Sequence, residues 1–262
     1  MTPPQITLYT LGNAFGMQSV SPFCFKLELL LKHLGLEYDL QIEPDPRKTP
    51  KGKLPYANIN GEVLADSEVI IERLDQLTEG RVYAGLSARE RAHGLALTRL
   101  AEEHLYWSMV ASRWLDDDWW PNVVQGFFNL VPPVVRNLVA ALARREVKKT
   151  YHLQGLGRHN EAEQEGFIRR DLLSLQNAIS PQGFLFGATP CVFDLAVASV
   201  LTGIYYNRPA TWLTRLAADY PDLEAYIERV QRTIGQHAVH GHLHEQTPAS
   251  DTPSVAAQAE PA

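Results

Sequence analysis

The chain has 262 residues, which is enough for one or two domains and for a sizeable core. Hydrophobic residues make up 45% of it and charged residues 21%, as in ordinary globular proteins. The net charge of −6 argues against nucleic-acid binding, which needs a concentrated basic face. Two cysteines cannot form a disulfide framework and indicate a reducing compartment, so we expect a cytoplasmic protein. Because there is no apolar run of about 18 residues and no secretory pattern, we expect neither a membrane span nor secretion.

Residues 1–82 alternate between strand-like and helical patterns. Ser21 and Pro22 suit the N-cap and the first position of a helix, and Gly35 ends it. Asn60 and Gly61 predict a tight hairpin turn. The predicted elements are a strand at 6–9, a helix at 22–34, strands at 37–42, 56–59 and 62–64, and a helix from 66. The strands on either side of the first helix must be parallel and the hairpin antiparallel, which is a thioredoxin-like βαβ-ββα layout.

From residue 87 onward the pattern is helical. Ser87 and Glu90 form a capping box at the start of a long helix that we expect to reach residue 115. Further helices are predicted at 134–153, 160–178, 191–206 and 221–234, and the third of these is apolar on nearly every side, as expected at the centre of a bundle. We therefore predict a thioredoxin-like α/β domain over 1–82, an all-helical bundle domain over 87–245 and a disordered tail over 246–262.

Three segments of the first half resemble the substrate-binding motifs of soluble glutathione transferases. They are Ser-Pro-Phe-Cys-Phe-Lys at 21–26, similar to the active-site turn, Gly-Lys-Leu-Pro at 52–55, similar to the turn before a cis-proline, and Asp-Ser at 66–67, similar to the pair that holds the γ-glutamyl end of glutathione. Glu-His-Leu-Tyr-Trp at 103–107 and Gly-Leu-Gly-Arg-His at 155–159 resemble the failed-axon-connections and metaxin-like branch. The resemblance covers about residues 5–235.

The resemblance implies a homodimer with glutathione as co-substrate and no metal. It also implies which residues bind glutathione: Lys53, Leu54, Pro55, Asp66 and Ser67. Lys53 is then near the glycyl carboxylate, the backbone of Leu54 pairs with the cysteinyl part, and Pro55 is cis. A plain loop lysine and a plain helix start would explain the same residues without a ligand, although a helix N-terminus is a favourable place for a ligand carboxylate.

The start of the first helix offers a way to activate the glutathione thiol. A thiol with an ordinary pKa of about 8.5 is mostly protonated at neutral pH, and lowering that pKa by about two units requires roughly 2.7 kcal/mol of thiolate stabilisation. A helix N-terminus supplies part of this, and a hydroxyl hydrogen bond supplies more. Ser21 is the predicted donor, unless it is only an N-cap. Tyr9 is the alternative, since some transferase classes use a tyrosine there, unless its ring simply packs in the domain.

Cys24 raises a different chemistry. Residues 21–24 have the spacing of a Cys-x-x-Cys redox motif whose first cysteine is replaced by Ser21, so two-thiol exchange is lost. About one turn inside the helix, Cys24 is either a buried, inert thiol or the nucleophile of a glutathione-dependent reductase that works through a mixed disulfide.

The long helix of the second half supplies candidates for the pocket of the second substrate. His104 lies on its predicted apolar stripe beside Trp107, with Trp114 farther along, and Tyr106 lies off that stripe. In glutathione transferases this helix lines the pocket for the electrophile, and a histidine or tyrosine there can donate a proton to the alkoxide formed when an epoxide opens. The alternative for His104 is a core histidine bonded to a backbone carbonyl.

Other clusters have structural or adventitious explanations. Asp194 is predicted to bond free amides at the start of the buried helix, where Cys191 replaces the usual Ser or Thr and Thr189 is expected to supply the cap. We expect the acidic run at 116–118 to be a solvated helix end and the basic residues at 144–149 to be a solvated helix face. Adventitious metal affinity is expected of a histidine cluster formed by His237, His240, His242 and His244.

We therefore predict a cytoplasmic glutathione transferase that conjugates the glutathione thiolate to a small electrophile, with an epoxide as a candidate. Two alternatives stay open. One is a metaxin-like interaction protein without catalysis, and the other is a glutathione-dependent thiol reductase that uses Cys24.

Overall fold

The structure is a computed structural model that describes residues 3–181 and 183–239. Its first half is built on one mixed four-stranded sheet with the strand order β2-β1-β3-β4. The strands are β1 (Ile6–Thr10), β2 (Asp39–Ile42), β3 (Tyr56–Ile59) and β4 (Glu62–Ala65). Two helices complete this half, α1 (Pro22–Leu34) and α2 (Ser67–Leu77). The thioredoxin-like βαβ-ββα order predicted from the sequence is confirmed.

The strand pairing also follows the prediction. β1 and β2 are parallel, with Leu8 opposite Leu40, because α1 intervenes between them. β1 pairs with β3 in the antiparallel sense, with Tyr9 opposite Tyr56, and the hairpin pair β3–β4 is antiparallel. Only a one-turn 3₁₀ helix, Pro46–Lys48, stands between β2 and β3.

Helix α1 forms the centre of the first half. Pro22 occupies the start of the helix, and Gly35 ends it in the left-handed conformation (φ 67°), with its amide bonded to the carbonyls of Leu31 and Lys32. The leucines of α1 are buried, as at Leu27 and Leu30. The helix therefore packs on both sides, against the sheet half and against the helical half of the chain.

The second half is helical, as predicted. Its helices are α3 (Ala88–Arg99), α4 (Tyr106–Trp114), α5 (Trp120–Phe127), α6 (Pro133–Gln154), α7 (Glu161–Ala178), α8 (Val192–Tyr205), α9 (Trp212–Ala217) and α10 (Pro221–Ile234). Every residue of α8 is buried, and this helix packs against α1, α3 and α10. The central position predicted for it is confirmed.

Two expectations for the second half need correction. The long helix from residue 87 to 115 is not one regular α-helix, because the π-helical segment Leu100–Leu105 separates α3 from α4. Helices α5 and α9 were not predicted, since each is short and lies next to prolines that favour a break.

The predicted tail at 246–262 lies outside the described residues. No helix within the described part of the chain is long and apolar enough to span a membrane.

The start of α8 corrects a smaller prediction. Cys191, not Thr189, is the N-cap residue. Its amide donates to Asp194 Oδ2 at 2.9 Å, and its Sγ lies 3.1 Å from the same oxygen. The predicted role of Asp194 is confirmed: its other oxygen accepts from the amide of Leu185 (2.9 Å) and the hydroxyl of Tyr226 (2.8 Å).

Candidate active site

The first element of the site is the start of α1. Ser21 is the N-cap residue with an extended backbone (φ −93°, ψ 121°), and its side chain makes no capping hydrogen bond in the described structure. Its carbonyl accepts from the amide of Phe25 at 3.0 Å, so the helix begins regularly. Ser21 is half-buried. The hydroxyl therefore caps no backbone amide of α1; it hydrogen-bonds the thiol of Cys24, at the end where the helix dipole is positive.

Cys24 lies one turn farther along and is fully buried. Burial raises the pKa of its thiol from 9.0 to about 12, although hydrogen bonds from Ser21 and from the backbone of Leu11 oppose that rise. The thiolate is the nucleophilic form of cysteine, so a buried thiol that stays protonated at neutral pH is a poor redox nucleophile. The geometry favours the inert interpretation of Cys24.

The second element is the loop before β3. The Leu54–Pro55 peptide bond is cis, as predicted. Thr49 braces this loop, because its hydroxyl lies 2.8 Å from the carbonyl oxygens of both Pro46 and Lys53. Lys53 is exposed and Leu54 half-buried, so both are accessible to a ligand lying along the loop.

The third element is the start of α2, next to the cis-proline. The amide of Asp66 donates to the carbonyl of Pro55 at 3.4 Å, which joins the two segments. Asp66 has φ 96°, an uncommon conformation for a residue with a side chain, and such strain is often found at ligand sites. Its carboxylate caps α2 by accepting from the amide of Glu68 at 2.9 Å, and Ser67 between them is buried.

Tyr9 lies on the less buried face of β1. Side chains alternate along a strand, and the neighbouring Leu8, on the other face, is fully buried. The ring of Tyr9 stacks on that of Tyr56, directly opposite, with centroids 4.2 Å apart and planes within 4°. This stack accounts for Tyr9 as a packed strand aromatic, so Ser21 is the better candidate donor to a thiolate.

A buried charge cluster beside the site was missed by sequence reasoning. Lys26 on α1 is fully buried, and its Nζ lies 2.6 Å from Glu102 and 3.1 Å from Glu68. Arg99 completes the cluster at 3.1 Å from Glu68 and 3.6 Å from Glu102. Burial raises the pKa of Glu102, and Lys26 opposes the rise. The cluster connects α1 and α2 to the π segment. The sequence signal for it was a lysine within an otherwise apolar helix, because a buried lysine needs charged partners.

The residues predicted for the electrophile pocket are partly brought together: the rings of Tyr106 and Trp107 lie edge to face with centroids 5.6 Å apart, whereas His104 and Trp114 contact other rings. Tyr106 packs edge-on against Phe23 of α1, with ring centroids 4.9 Å apart, and burial raises the pKa of its hydroxyl. Trp107 instead joins Tyr151 in a separate apolar cluster, and Trp114 stacks on the ring of Phe127 at 5.7 Å. Of the four candidates, Tyr106 is therefore the one that contacts the helix carrying Ser21.

His104 belongs to another cavity. Its Nδ1 pairs with Asp171, and this hydrogen bond raises the pKa of the imidazole. His104 lines a cavity of about 260 Å³ with His159, Gln154 and Phe167, among other residues. The predicted stripe assumed a regular α-helix, whereas His104 lies within the π segment and Tyr106 directly follows it.

Within residues 3–181 and 183–239 there is no group of three or more His, Cys, Asp or Glu side chains arranged to hold a metal ion. Asp116 and Asp117 of the acidic run have structural partners, since Asp116 accepts from two backbone amides and Asp117 pairs with Arg144 at 2.7 Å. Of the predicted histidine cluster, His240, His242 and His244 lie outside the described residues.

The fold defines the class of protein, a thioredoxin-like domain joined to a helical bundle as in glutathione transferases. Two solved structures share this architecture. A glutathione S-transferase of Methylobacterium radiotolerans in complex with glutathione sulfonate has a TM-score of 0.56 at 14% identity and covers 93% of this chain and 100% of its own. One of Methylobacillus flagellatus with glutathione bound has a TM-score of 0.54 at 15% identity, covering 87% and 95%.

Sequence relatives identify the family. Residues 22–119 match the family model of the glutathione S-transferase N-terminal domain. The isoprene-epoxide–glutathione S-transferase of Rhodococcus sp. is 32% identical over 237 residues, which are 87% of this chain and 98% of that protein. The chain belongs to the glutathione S-transferase family.

The predicted branch is confirmed by two other relatives. Failed axon connections of Drosophila melanogaster is 30% identical over 241 residues, or 86% of this chain, and human metaxin-1 is 27% identical over 202 residues, or 74% of it. The matched region spans 57% of the length of failed axon connections and 43% of that of metaxin-1.

Proposed function

We propose that this protein is a glutathione transferase in which Ser21 stabilises the thiolate of glutathione. The observations that carry the proposal are an N-cap hydroxyl that makes no bond to the α1 backbone and is shared with the Cys24 thiol, and the cis Leu54–Pro55 peptide bond. A hydrogen bond from this hydroxyl and the positive end of α1 both favour the charged sulfur over the neutral thiol.

The proposed binding mode for glutathione follows the three elements of the site. The γ-glutamyl carboxylate lies at the α2 start, held by the hydroxyl of Ser67 and nearby amides, with Asp66 facing the γ-glutamyl ammonium group. The backbone of Leu54 pairs with the cysteinyl residue, as an added strand pairs with a sheet edge. Lys53 faces the glycyl carboxylate. The exposed position of Lys53 and the hydrogen bond joining Pro55 to Asp66 support this mode.

We propose that the electrophile is a small epoxide. The supporting observations are the match to an isoprene-epoxide–glutathione S-transferase and the position of Tyr106 against Phe23. The thiolate sulfur attacks an epoxide carbon, the carbon–oxygen bond breaks, and the resulting alkoxide takes the proton of the Tyr106 hydroxyl. Solvent then returns a proton to the tyrosine. Because burial raises the pKa of Tyr106, its hydroxyl stays protonated until the alkoxide forms.

We further propose that the protein acts in the cytoplasm as a homodimer. Both cysteines, Cys24 and Cys191, are free, which suits a reducing compartment. Family membership supports the dimer.

A non-catalytic interaction role is the second candidate, and the matches to failed axon connections and metaxin-1 favour it. A scaffold needs no ligand at the α1 start, so the two candidates differ in whether glutathione binds at all. The thiol-reductase alternative is weaker, because Cys24 is buried with a raised pKa.

The test is calorimetric titration with glutathione, followed by the absorbance of the bound thiolate as a function of pH. We expect the wild type to bind glutathione with a thiol pKa well below the free value. We expect Ser21→Ala to raise that pKa and to lower kcat/KM by about tenfold, the equivalent of roughly 1.4 kcal/mol, because the helix N-terminus remains. Ser87→Ala, at the α3 N-cap, is the matched control and should leave both unchanged. A wild type that does not bind glutathione would establish the interaction role instead.

A further inference from the structure

The outer side of α6 leaves large apolar side chains uncovered. Val134, Leu138 and Leu142 recur every four residues, so they form one row along the helix, which we call the apolar row. Their exposed fractions are 96%, 63% and 59%, and Leu130, just before the helix, is 75% exposed. On the opposite side of α6, Ala140 is fully buried against the bundle. A continuous apolar surface of this kind marks an interaction site.

The same side of α6 becomes basic in its second half. Arg145 follows Leu142 by three residues and Lys149 follows Arg145 by four, so both continue the apolar row, and Lys148 lies beside them. We call these three residues the basic row, and all are exposed. By contrast, Arg144 is turned inward, with its guanidinium bonded to the carbonyls of Trp114 and Leu115.

Charge complementarity points to a negatively charged partner. Residues 133–154 contain five Lys and Arg and one Glu, which gives α6 four net positive charges. The whole chain carries −6, so the residues outside α6 carry −10. Such a separation of charge turns α6 toward an anionic surface and the rest of the molecule away from it.

We propose that α6 binds the surface of an anionic lipid bilayer. The apolar row, together with Leu130, enters the acyl region, and the basic row lies among the headgroup phosphates, as in interfacial amphipathic helices. A bilayer fits better than a folded protein, because the apolar row is the convex ridge of a single helix and a deformable surface needs no complementary groove. The proposal is independent of glutathione binding.

The test is flotation of the full chain with vesicles of phosphatidylcholine, with and without phosphatidylserine. We expect binding to vesicles that contain phosphatidylserine, weakened by salt, and much weaker binding to phosphatidylcholine alone. Lys148→Gln with Lys149→Gln should weaken binding by roughly 25-fold, since each basic residue near an anionic surface contributes about fivefold. Leu138→Gln with Leu142→Gln should weaken it by at least about tenfold.

Leu173→Gln is the matched control, because Leu173 on α7 is 47% exposed and lies outside the apolar row. It should leave vesicle binding unchanged. All these positions are exposed, so thermal unfolding should show that each variant folds. The proposal is wrong if the full chain does not float with phosphatidylserine vesicles at low salt, or if the paired variants bind like Leu173→Gln. If the leucine pair instead changes the sedimentation coefficient of a chain that ignores vesicles, the ridge is covered by a second copy of the chain.

Discussion

Helices α1 and α8 pack against each other at the centre of the molecule and differ in how they use their ends. Each has a cysteine near its start and one buried acid. At α8, Asp194 accepts from the amides of Cys191 and Leu185 and from the hydroxyl of Tyr226. At α1, the hydroxyl of Ser21 makes no capping bond in the described structure. Similar sequence features therefore cap the backbone at the start of α8, whereas at the start of α1 the Ser21 hydroxyl bonds the thiol of Cys24 and no backbone amide.

The buried acids differ in the same way. Asp194 has donors on both carboxylate oxygens, whereas Glu28 on α1 accepts one long bond, from Gln236 at 3.5 Å, and its other oxygen finds no hydrogen-bond partner among the described residues. A buried carboxylate with several donors stabilises the fold, and one with a single long hydrogen bond is costly to ionise. Four substitutions test this contrast, in order of decreasing expected effect.

Asp194→Ala should have the largest effect, because it leaves two amides and one hydroxyl without their acceptor. We expect the free energy of unfolding, measured by chemical denaturation, to fall by about 4 kcal/mol. Conjugation by the folded fraction should be unchanged. The control is Asp222→Ala in the exposed first turn of α10, which should cost less than about 1 kcal/mol. A small loss for Asp194→Ala would contradict the structural role of the α8 start.

Glu28→Gln should change how stability depends on pH. Burial raises the pKa of Glu28 from 4.5 to about 7, so the folded state keeps a proton that the unfolded chain releases near pH 4.5. Stability then falls as the pH rises from 4.5 to 7 and stays lower above that. The glutamine should remove this fall and raise the free energy of unfolding at pH 8 by about 3 kcal/mol.

Denaturation curves at several pH values provide the measurement for Glu28, and exposed Glu37→Gln is the control. If the wild type loses no stability between pH 4.5 and 7, the acid of α1 has a partner at neutral pH and the contrast with α8 disappears.

Tyr106→Phe separates the two candidates for proton donor. Tyr106 contacts Phe23 at the start of α1, whereas His104 pairs with Asp171 in another cavity. We expect Tyr106→Phe to lower kcat for epoxide conjugation about tenfold, or roughly 1.4 kcal/mol, and His104→Gln to change it less than about twofold. Steady-state kinetics with a small epoxide will show whether this order is reversed, which would return the role to His104.

Cys24→Ala should have the smallest effect on chemistry. The thiol is buried, so we expect conjugation to change by less than about twofold, with a stability loss of about 1 kcal/mol from the lost packing. An assay of mixed-disulfide reduction run beside the conjugation assay will reveal any thiol chemistry. Reductase activity in the wild type that is lost in this variant would overturn the inert interpretation.

Much of the first half was predictable because local signals agree there. Asn60 and Gly61 fix a hairpin, and Ser21 and Pro22 fix a helix start. Each is a short-range rule of backbone geometry, so no knowledge of distant packing was needed. The cis Leu54–Pro55 bond, which the structure contains, was expected from the resemblance of residues 52–55 to the glutathione transferase motif.

The parts that sequence reasoning missed have different causes. Lys26 lies 76 residues from Glu102, so nothing local predicts their ion pair. The π segment follows no sequence rule used above. Cys191 caps α8 in place of a serine because its sulfur and amide both reach Asp194, an arrangement that a weak hydrogen-bonding side chain did not suggest.

The π segment also has a consequence for how this helix can change. A π turn contains one more residue than an α turn, so it sets the rotation about the helix axis of every residue that follows. His104, inside the segment, pairs with Asp171, and Tyr106, directly after it, packs against Phe23. Deletion of one residue between Leu100 and Leu105 would therefore rotate the whole downstream helix about its axis. A different row of its side chains would then face α1.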